Sequence, residues 1–94
     1  MMYENLELEI KKAIIDRLGL DLDPEVINND APLFAKLAEG TEYEEVSMNL
    51  DSIDILEVVL ALNNNFDVDI TDDNEEIFTS VNTLAEYIRS IHNT

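Results

Sequence analysis

Cysteine is absent from this chain of 94 residues, and glycine, proline and basic residues are scarce. The lack of cysteine excludes disulfides, thiolate zinc sites and a cysteine nucleophile, and it fits a reducing compartment. Only 2 glycines and 2 prolines argue against a turn-rich all-β fold, which needs many tight turns. A chain of this length can bury one small core, so we expect a single domain over residues 1–94.

Basic residues number 5 against 22 acidic residues, which gives a formal net charge of −17. Nucleic-acid binding needs Lys and Arg to neutralise phosphates, and neither occurs from Leu37 to Ile88. This excludes nucleic acid as a direct partner, and anionic membrane surfaces would repel the chain for the same reason. We expect basic proteins or divalent cations as partners, because an acidic surface speeds encounter with a basic face.

Long apolar runs are also missing. The longest, Val58 to Leu62, is too short to span a bilayer, and the first ten residues lack the basic and apolar regions of a secretory signal. We therefore expect a cytoplasmic monomer without membrane insertion. Hydrophobic residues still make up 46% of the chain, which argues against an acidic disordered tail, since disorder requires few apolar groups.

Apolar residues at helical spacing predict three main helices. Their bounds are about Tyr3–Leu18, Asp51–Phe66 and Ser80–Ile91. Gly19 should end the first helix, Asp51 should cap the second with Asp54 at its N3 position, and Thr79 should cap the last. The pattern predicts a small all-α bundle of three main helices plus one short helix.

The connections between these helices carry weaker signals. Residues 20–50 form a long connection, and such loops are usually functional or mobile. Within this connection we expect a helical turn at Leu33–Leu37, ended by Gly40, and an irregular stretch at Thr41–Asn49. Between the second and third main helices we expect a loop at Asp67–Ile70 and a short helical segment at Thr71–Glu76.

The second helix is apolar on two faces, and a single core-facing stripe cannot hold all of its apolar residues. One stripe contains Val58, Leu62 and Phe66, and the other contains Ile53, Leu56 and Leu60. Such a helix is either central in the core or presents one face to a partner. Asp54 and Glu57 border the second stripe, which favours a partner.

The residues Leu50-Asp51-Ser52-Ile53-Asp54 at the start of this helix resemble the acyl carrier protein family. The stretch DSIDILEVVLALNNNFDVDI is similar to the family's recognition helix and following loop, and DDNEEIFTSVNTLAEYI is similar to its third and fourth helices. The first helix and Asp30–Phe34 match more loosely, and the stretch near Ala35–Ser47 is an apparent insertion. The resemblance implies an acyl-carrier-like bundle with a lengthened first loop.

The resemblance implies that Ser52 carries 4′-phosphopantetheine through a phosphodiester, and that the thiol of this cofactor holds acyl groups as thioesters. The chain itself would be no enzyme. A phosphate at the first turn of a helix is stabilised by free N–H groups, while Asp51 and Asp54 oppose it and attract the basic face of a modifying transferase. Activation of Ser52 must come from that phosphopantetheinyl transferase, because the only histidine, His92, lies at the far end of the chain.

The resemblance also implies, position by position, which residues of this chain bind partners and which line the acyl chain. Further partners would be acyl-transferring and acyl-modifying enzymes with basic docking faces, in fatty-acid, polyketide or specialised lipid synthesis. The implied partner-binding residues are Asp51, Ile53, Asp54, Leu56, Glu57 and Leu60, although the spacing leaves a core position open for Leu56 and Leu60. The implied lining of the acyl chain is Ile10, Ile14, Val58, Leu62, Phe66, Leu84 and Ile88.

Three features depart from the family pattern. Asn49 stands where the family often has Gly, and asparagine tolerates left-handed geometry. Asn63-Asn64-Asn65 replaces an acidic run that is common in fatty-acid carriers, and the insertion lengthens the first loop. The last two favour a specialised carrier over a housekeeping one.

The sequence leaves two alternatives open. One is an aminoacyl or peptidyl carrier, and the other is an acidic adaptor or divalent-cation-binding helical module without a covalent cofactor. A calcium loop starting at Asp67 would need Gly at position 72 and Glu at position 78, where the chain has Asp72 and Phe78. We therefore predict no dedicated metal site.

Overall fold

The computed structural model describes residues 5–71 and 75–92, and these residues form four α-helices. Their bounds are Leu6–Leu18 (α1), Ala35–Ala38 (α2), Ile55–Phe66 (α3) and Val81–His92 (α4), and 3-10 turns at Ser52–Asp54 and Glu75–Thr79 precede α3 and α4. Helix α1 packs against both α3 and α4. The three long helices confirm the predicted all-α bundle with its long first loop. No helix within the described ranges is long and apolar enough to cross a bilayer.

Helix α1 begins after Asn5, later than the predicted start at Tyr3, which lies outside the described residues. The Asn5 side chain accepts a hydrogen bond from the Leu8 N–H at 3.2 Å, and asparagine is a favoured residue at this capping position. At the other end, Gly19 adopts a left-handed conformation with φ 65°. The prediction that Gly19 ends the helix is confirmed, since this geometry costs glycine no steric strain.

Helix α2 lies at Ala35–Ala38 rather than at the predicted Leu33–Leu37. The reason is that both backbone groups of Leu33 bond to other segments: its N–H donates to the Thr79 carbonyl and its carbonyl accepts from the Leu50 N–H, each at 3.0 Å. The Leu33 carbonyl is thus bonded to Leu50 and not to a following N–H of a helical turn, and the helix begins only after Phe34, whose backbone is extended.

The start of α3 follows the sequence prediction closely. The Asp51 N–H donates to Asp54 Oδ2 at 3.0 Å, and the Ile53 N–H lies 3.5 Å from Asp51 Oδ1, so Asp51 and Asp54 form a reciprocal cap. Asn49 is left-handed, with φ 51°, as its substitution for glycine suggests. Asp67, also left-handed, ends α3.

The short helical segment before α4 continues to Thr79, past its predicted end at Glu76. Its predicted beginning after Thr71 falls on residues 72–74, which lie outside the described part. Phe78, in this segment, is buried. The cap of α4 is Ser80 rather than Thr79, because the Thr83 N–H donates to Ser80 Oγ at 3.2 Å and the Ser80 N–H donates to Thr83 Oγ1 at 2.9 Å.

The core lies between α1, α3 and α4 and also receives side chains from the long loop. Its loop contributions include Ile27, Leu33, Met48 and Leu50. The Lys11 ammonium is buried beside them and donates to the Ile27 carbonyl at 3.2 Å; this burial lowers the pKa of Lys11. The connection is therefore packed onto the bundle.

Candidate functional site

Ser52 lies exposed at the first residue of the turn that opens α3. Its Oγ is 3.5 Å from Asp51 Oδ1, a distance at the outer limit of a hydrogen bond. His92 is bound at the opposite end of α3, where its Nε2 lies 2.8 Å from the Phe66 carbonyl oxygen. At 1.5 Å per residue, Ser52 and Phe66 are roughly 20 Å apart, so His92 cannot serve Ser52 as a base.

The outer face of α3 presents apolar side chains to solvent. Ile53 is 78% exposed, Leu56 is 58% exposed and Leu60 is 44% exposed. The sequence left a core position open for Leu56 and Leu60, and the structure places both outside. We call Ile53, Leu56 and Leu60 the apolar stripe. Exposed apolar side chains that lie together mark candidate contact surfaces.

The three acids beside the apolar stripe are already engaged within the chain. Asp51 and Asp54 hold the reciprocal cap, and Glu57 accepts a hydrogen bond from Arg17 Nε at 2.7 Å. No local sequence pattern indicates the contact between Arg17 and Glu57, because 40 residues separate the pair. Because Arg17 places a positive charge against Glu57, the net charge beside the stripe is less negative than the sequence suggests.

The residues proposed to line an acyl chain come together in the core between α1, α3 and α4. All seven are buried: Ile10, Ile14, Val58, Leu62, Phe66, Leu84 and Ile88. Their assembly supplies an apolar interior, which an acyl chain could enter only if the side chains moved apart, since protein cores are close-packed.

A groove of about 360 Å³ opens directly beside Ser52. Seven residues line it: Phe34, Lys36, Leu37, Ser52, Ile55, Phe78 and Thr79. None of the predicted acyl-lining residues is among them, and Ser52 is the only one of the seven that the sequence predicts as a site residue. One signal was available, because Lys36 is the only basic residue between Arg17 and Arg89. We call this feature the Ser52 groove.

A second cavity, of about 720 Å³, lies away from Ser52 beside α1 and the end of α3. It is lined by Glu9, Lys12, Ala13, Ile15, Asp16, Gly19, Leu20, Pro24, Asn65 and Phe66. Only Phe66 belongs to the predicted acyl lining. Over 5–71 and 75–92, no group of three or more His, Asp or Glu side chains is placed to hold a metal ion.

No protein-family model matches the chain. Among curated proteins, the chain is similar to the acyl carrier protein of Buchnera aphidicola subsp. Baizongia pistaciae (strain Bp), with 34% identity over 86 residues. The match covers 92% of this chain and 94% of that protein, so it includes the helices around the core and is not confined to the residues near Ser52. With the helical bundle, this similarity over nearly the full length shows that the chain belongs to the acyl carrier protein family.

Proposed function

We propose that this chain carries acyl groups on a 4′-phosphopantetheine arm attached covalently to Ser52. The observation that carries the proposal is the exposed Ser52 hydroxyl at the rim of the Ser52 groove. The cap formed by Asp51 and Asp54 fixes the backbone around it. The hydroxyl is therefore presented at a defined place where a modifying enzyme can reach it.

Attachment of the arm would form one bond and break one bond. Ser52 Oγ binds the phosphorus of coenzyme A that bears the pantetheine, its proton passes to a base of the transferase, and the nucleotide part of coenzyme A leaves. The transferase must supply the base, because the nearest side-chain contact of Ser52 is the long one to Asp51. The arm supplies the thiol on which acyl groups are held as thioesters, which this cysteine-free chain lacks.

The outer face of α3 suits partners with basic docking surfaces. The apolar stripe offers buried area on contact, and Asp51, Asp54 and Glu57 offer negative charge around it. Charge complementarity of this kind steers encounter and fixes orientation. We propose that the phosphopantetheinyl transferase and the acyl-handling enzymes dock on this face, and that the chain has no catalytic role of its own.

We propose that the acyl chain lies in the core of the helical bundle. The seven buried lining residues form its apolar wall, as their shared burial at the centre of the bundle supports. Asn63-Asn64-Asn65 and the apparent insertion near Ala35–Ser47 favour a specialised carrier over a housekeeping one. The first of these asparagines also has a structural contact: the Asn63 amide accepts a hydrogen bond from the Ile70 N–H at 2.8 Å and donates one to the Ile70 carbonyl at 3.0 Å.

Co-expression with a broad-specificity phosphopantetheinyl transferase, followed by intact-mass measurement, tests the proposal. The wild type should gain the mass of one phosphopantetheine, and Ser52→Ala should gain none. Ser90→Ala is the matched control, because Ser90 is another exposed serine, on α4, and this variant should load normally. Acyl and aminoacyl donors then identify the class of cargo.

Failure of several transferases to load the wild type would overturn the proposal. An acidic adaptor without a covalent cofactor would then be the better reading of the same exposed face. Loading that persists in Ser52→Ala would instead place the arm on another residue.

A further inference from the structure

Lys36 has an unusual position in so acidic a chain. It is the only basic residue between Arg17 and Arg89, it lies on α2, and its side chain lines the Ser52 groove together with Ser52. A single lysine thus lines the same groove as the serine to which the arm would be joined.

The other four basic side chains are engaged. Lys11 donates to the Ile27 carbonyl, and the remaining three form ion pairs: Lys12 with Glu9, Arg17 with Glu57 and Arg89 with Glu7. The Lys36 side chain is exposed and makes no hydrogen bond or ion pair with any residue in the ranges 5–71 and 75–92. Its charge is therefore available to a ligand in the groove.

Backbone hydrogen bonds fix α2 relative to Ser52. The Ala35 N–H donates to the Leu50 carbonyl at 2.9 Å, and the Leu50 N–H donates to the Leu33 carbonyl at 3.0 Å. Lys36 follows directly after Ala35, and Ser52 lies two residues after Leu50. The two sides of the groove are thus joined by main-chain bonds, so the lysine stem starts from a fixed point next to Ser52.

On the basis of the proposed attachment at Ser52, we propose that Lys36 is the counter-ion of the arm's phosphodiester and holds the arm against the Ser52 groove. A phosphodiester on Ser52 Oγ would carry its negative charge beside Asp51 and Asp54, and this repulsion needs an opposing cation. An ammonium–phosphate contact is a charge-assisted hydrogen bond, stronger than a neutral one. Phe34, Leu37 and Ile55 line the same groove and offer apolar surface to the pantetheine.

The test compares phosphopantetheine-loaded wild type with loaded Lys36→Gln, Lys36→Arg and Lys12→Gln by ³¹P NMR at low and high NaCl. Lys12→Gln is the matched control, because it removes the same charge from an exposed lysine that lines the other cavity. Intact mass establishes loading first, and circular dichroism establishes that each variant is folded.

At low salt, Lys36→Gln should show a sharp ³¹P resonance. Compared with it, the resonance should be displaced and broadened in the wild type, in Lys36→Arg and in Lys12→Gln. High salt should move these three resonances towards that of Lys36→Gln, because screening weakens an exposed ion pair. Identical resonances of wild type and Lys36→Gln at low salt would overturn the role of Lys36 while leaving the attachment at Ser52 intact. Absence of any mass gain on the wild type would overturn the proposed function and this inference together.

Discussion

Arg17 Nε lies 2.7 Å from Glu57 Oε2, so a cation of α1 covers one of the acids beside the apolar stripe. Both side chains are roughly half exposed, and such surface pairs contribute about 0.2–1 kcal/mol to stability. On the face where we propose that partners dock, this pair should affect docking more than the stability of the fold. A partner that binds this face with its own cation must compete with Arg17 for Glu57.

Replacing Arg17 with Gln should therefore speed the encounter with a basic phosphopantetheinyl transferase. The change frees Glu57 and makes the docking face more negative, and the gain should shrink as salt screens the field. Stopped-flow association rates over a range of NaCl concentrations measure this effect. Lys12→Gln removes the same charge elsewhere on α1, and an equal acceleration in that variant would show that only net charge matters.

Replacing Ile53 with Gln should separate docking from stability. Ile53 is 78% exposed, and surface changes of this kind usually alter the free energy of unfolding by no more than about 0.5 kcal/mol. Loading by the transferase should nevertheless fall about fivefold or more, since truncation of a residue at the centre of a contact surface can cost more than about 1 kcal/mol. Urea unfolding and loading rates measure the two effects. Val26→Gln, at another exposed apolar residue, should leave both unchanged.

Local features of the fold could be predicted from the sequence because few residues decide them. The cap by Asp51 and Asp54 depends on a spacing of three residues, and Gly19 and Asn49 depend on their own backbone preferences. The capping of α4 shows the limit. Thr79 and Ser80 are both acceptable caps, and the choice follows from the Leu33 N–H, which binds the Thr79 carbonyl from a distant part of the chain.

The candidate site was predictable to the same extent. Ser52 and the apolar stripe follow from one helix and its motif. Lys36 and Arg17 reach the site from α2 and α1, and their contribution depends on tertiary contacts that no local pattern encodes. The Ser52 groove likewise combines residues from three separate segments of the chain.

Acyl loading offers a test of where the cargo lies. An octanoyl chain that binds only the folded core should raise the melting temperature above that of the unacylated, arm-bearing protein. Leu84→Ala should cost about 2–5 kcal/mol by opening a cavity, and octanoyl loading should restore more stability to this variant than to the wild type. Thermal melts of loaded and unloaded pairs measure the difference. A gain that is unchanged in Leu84→Ala but lost in Leu37→Ala would place the chain in the Ser52 groove instead.

Glu7 gives the chain a defined acid-dependent contribution to stability. Arg89 donates to both carboxylate oxygens of Glu7, at 2.7 and 3.0 Å, and this hydrogen bonding lowers the pKa of Glu7 below its usual 4.5. A carboxyl with a lowered folded pKa stabilises the fold above its unfolded pKa, and that contribution is lost as the pH falls through the lowered value.

Glu7→Gln should therefore reduce the free energy of unfolding at neutral pH by about 0.5–1 kcal/mol, and the deficit should vanish in acid. Urea unfolding across the acidic range measures it. Glu9→Gln is the charge-matched control, because the Glu9–Lys12 pair is exposed and longer, at 3.8 Å. A deficit that stays constant with pH would show that Glu7 acts through packing rather than through its charge.

The net charge of −17 on 94 residues should limit the stability of the folded state, since like charges repel more strongly in a compact chain. Sodium chloride should raise the melting temperature as the screening length falls from about 30 Å at 0.01 M to about 3 Å at 1 M. A gain of about 1 kcal/mol would appear as roughly 4–8 °C in a domain of this size.

The triple variant Glu39→Gln, Glu42→Gln, Glu45→Gln removes three exposed acids from the long loop. It should melt at a higher temperature than the wild type at low salt, and its melting temperature should rise less when salt is added. Equal melting temperatures for the two proteins at low salt, with no response to sodium chloride in either, would mean that the fold already compensates its own repulsion.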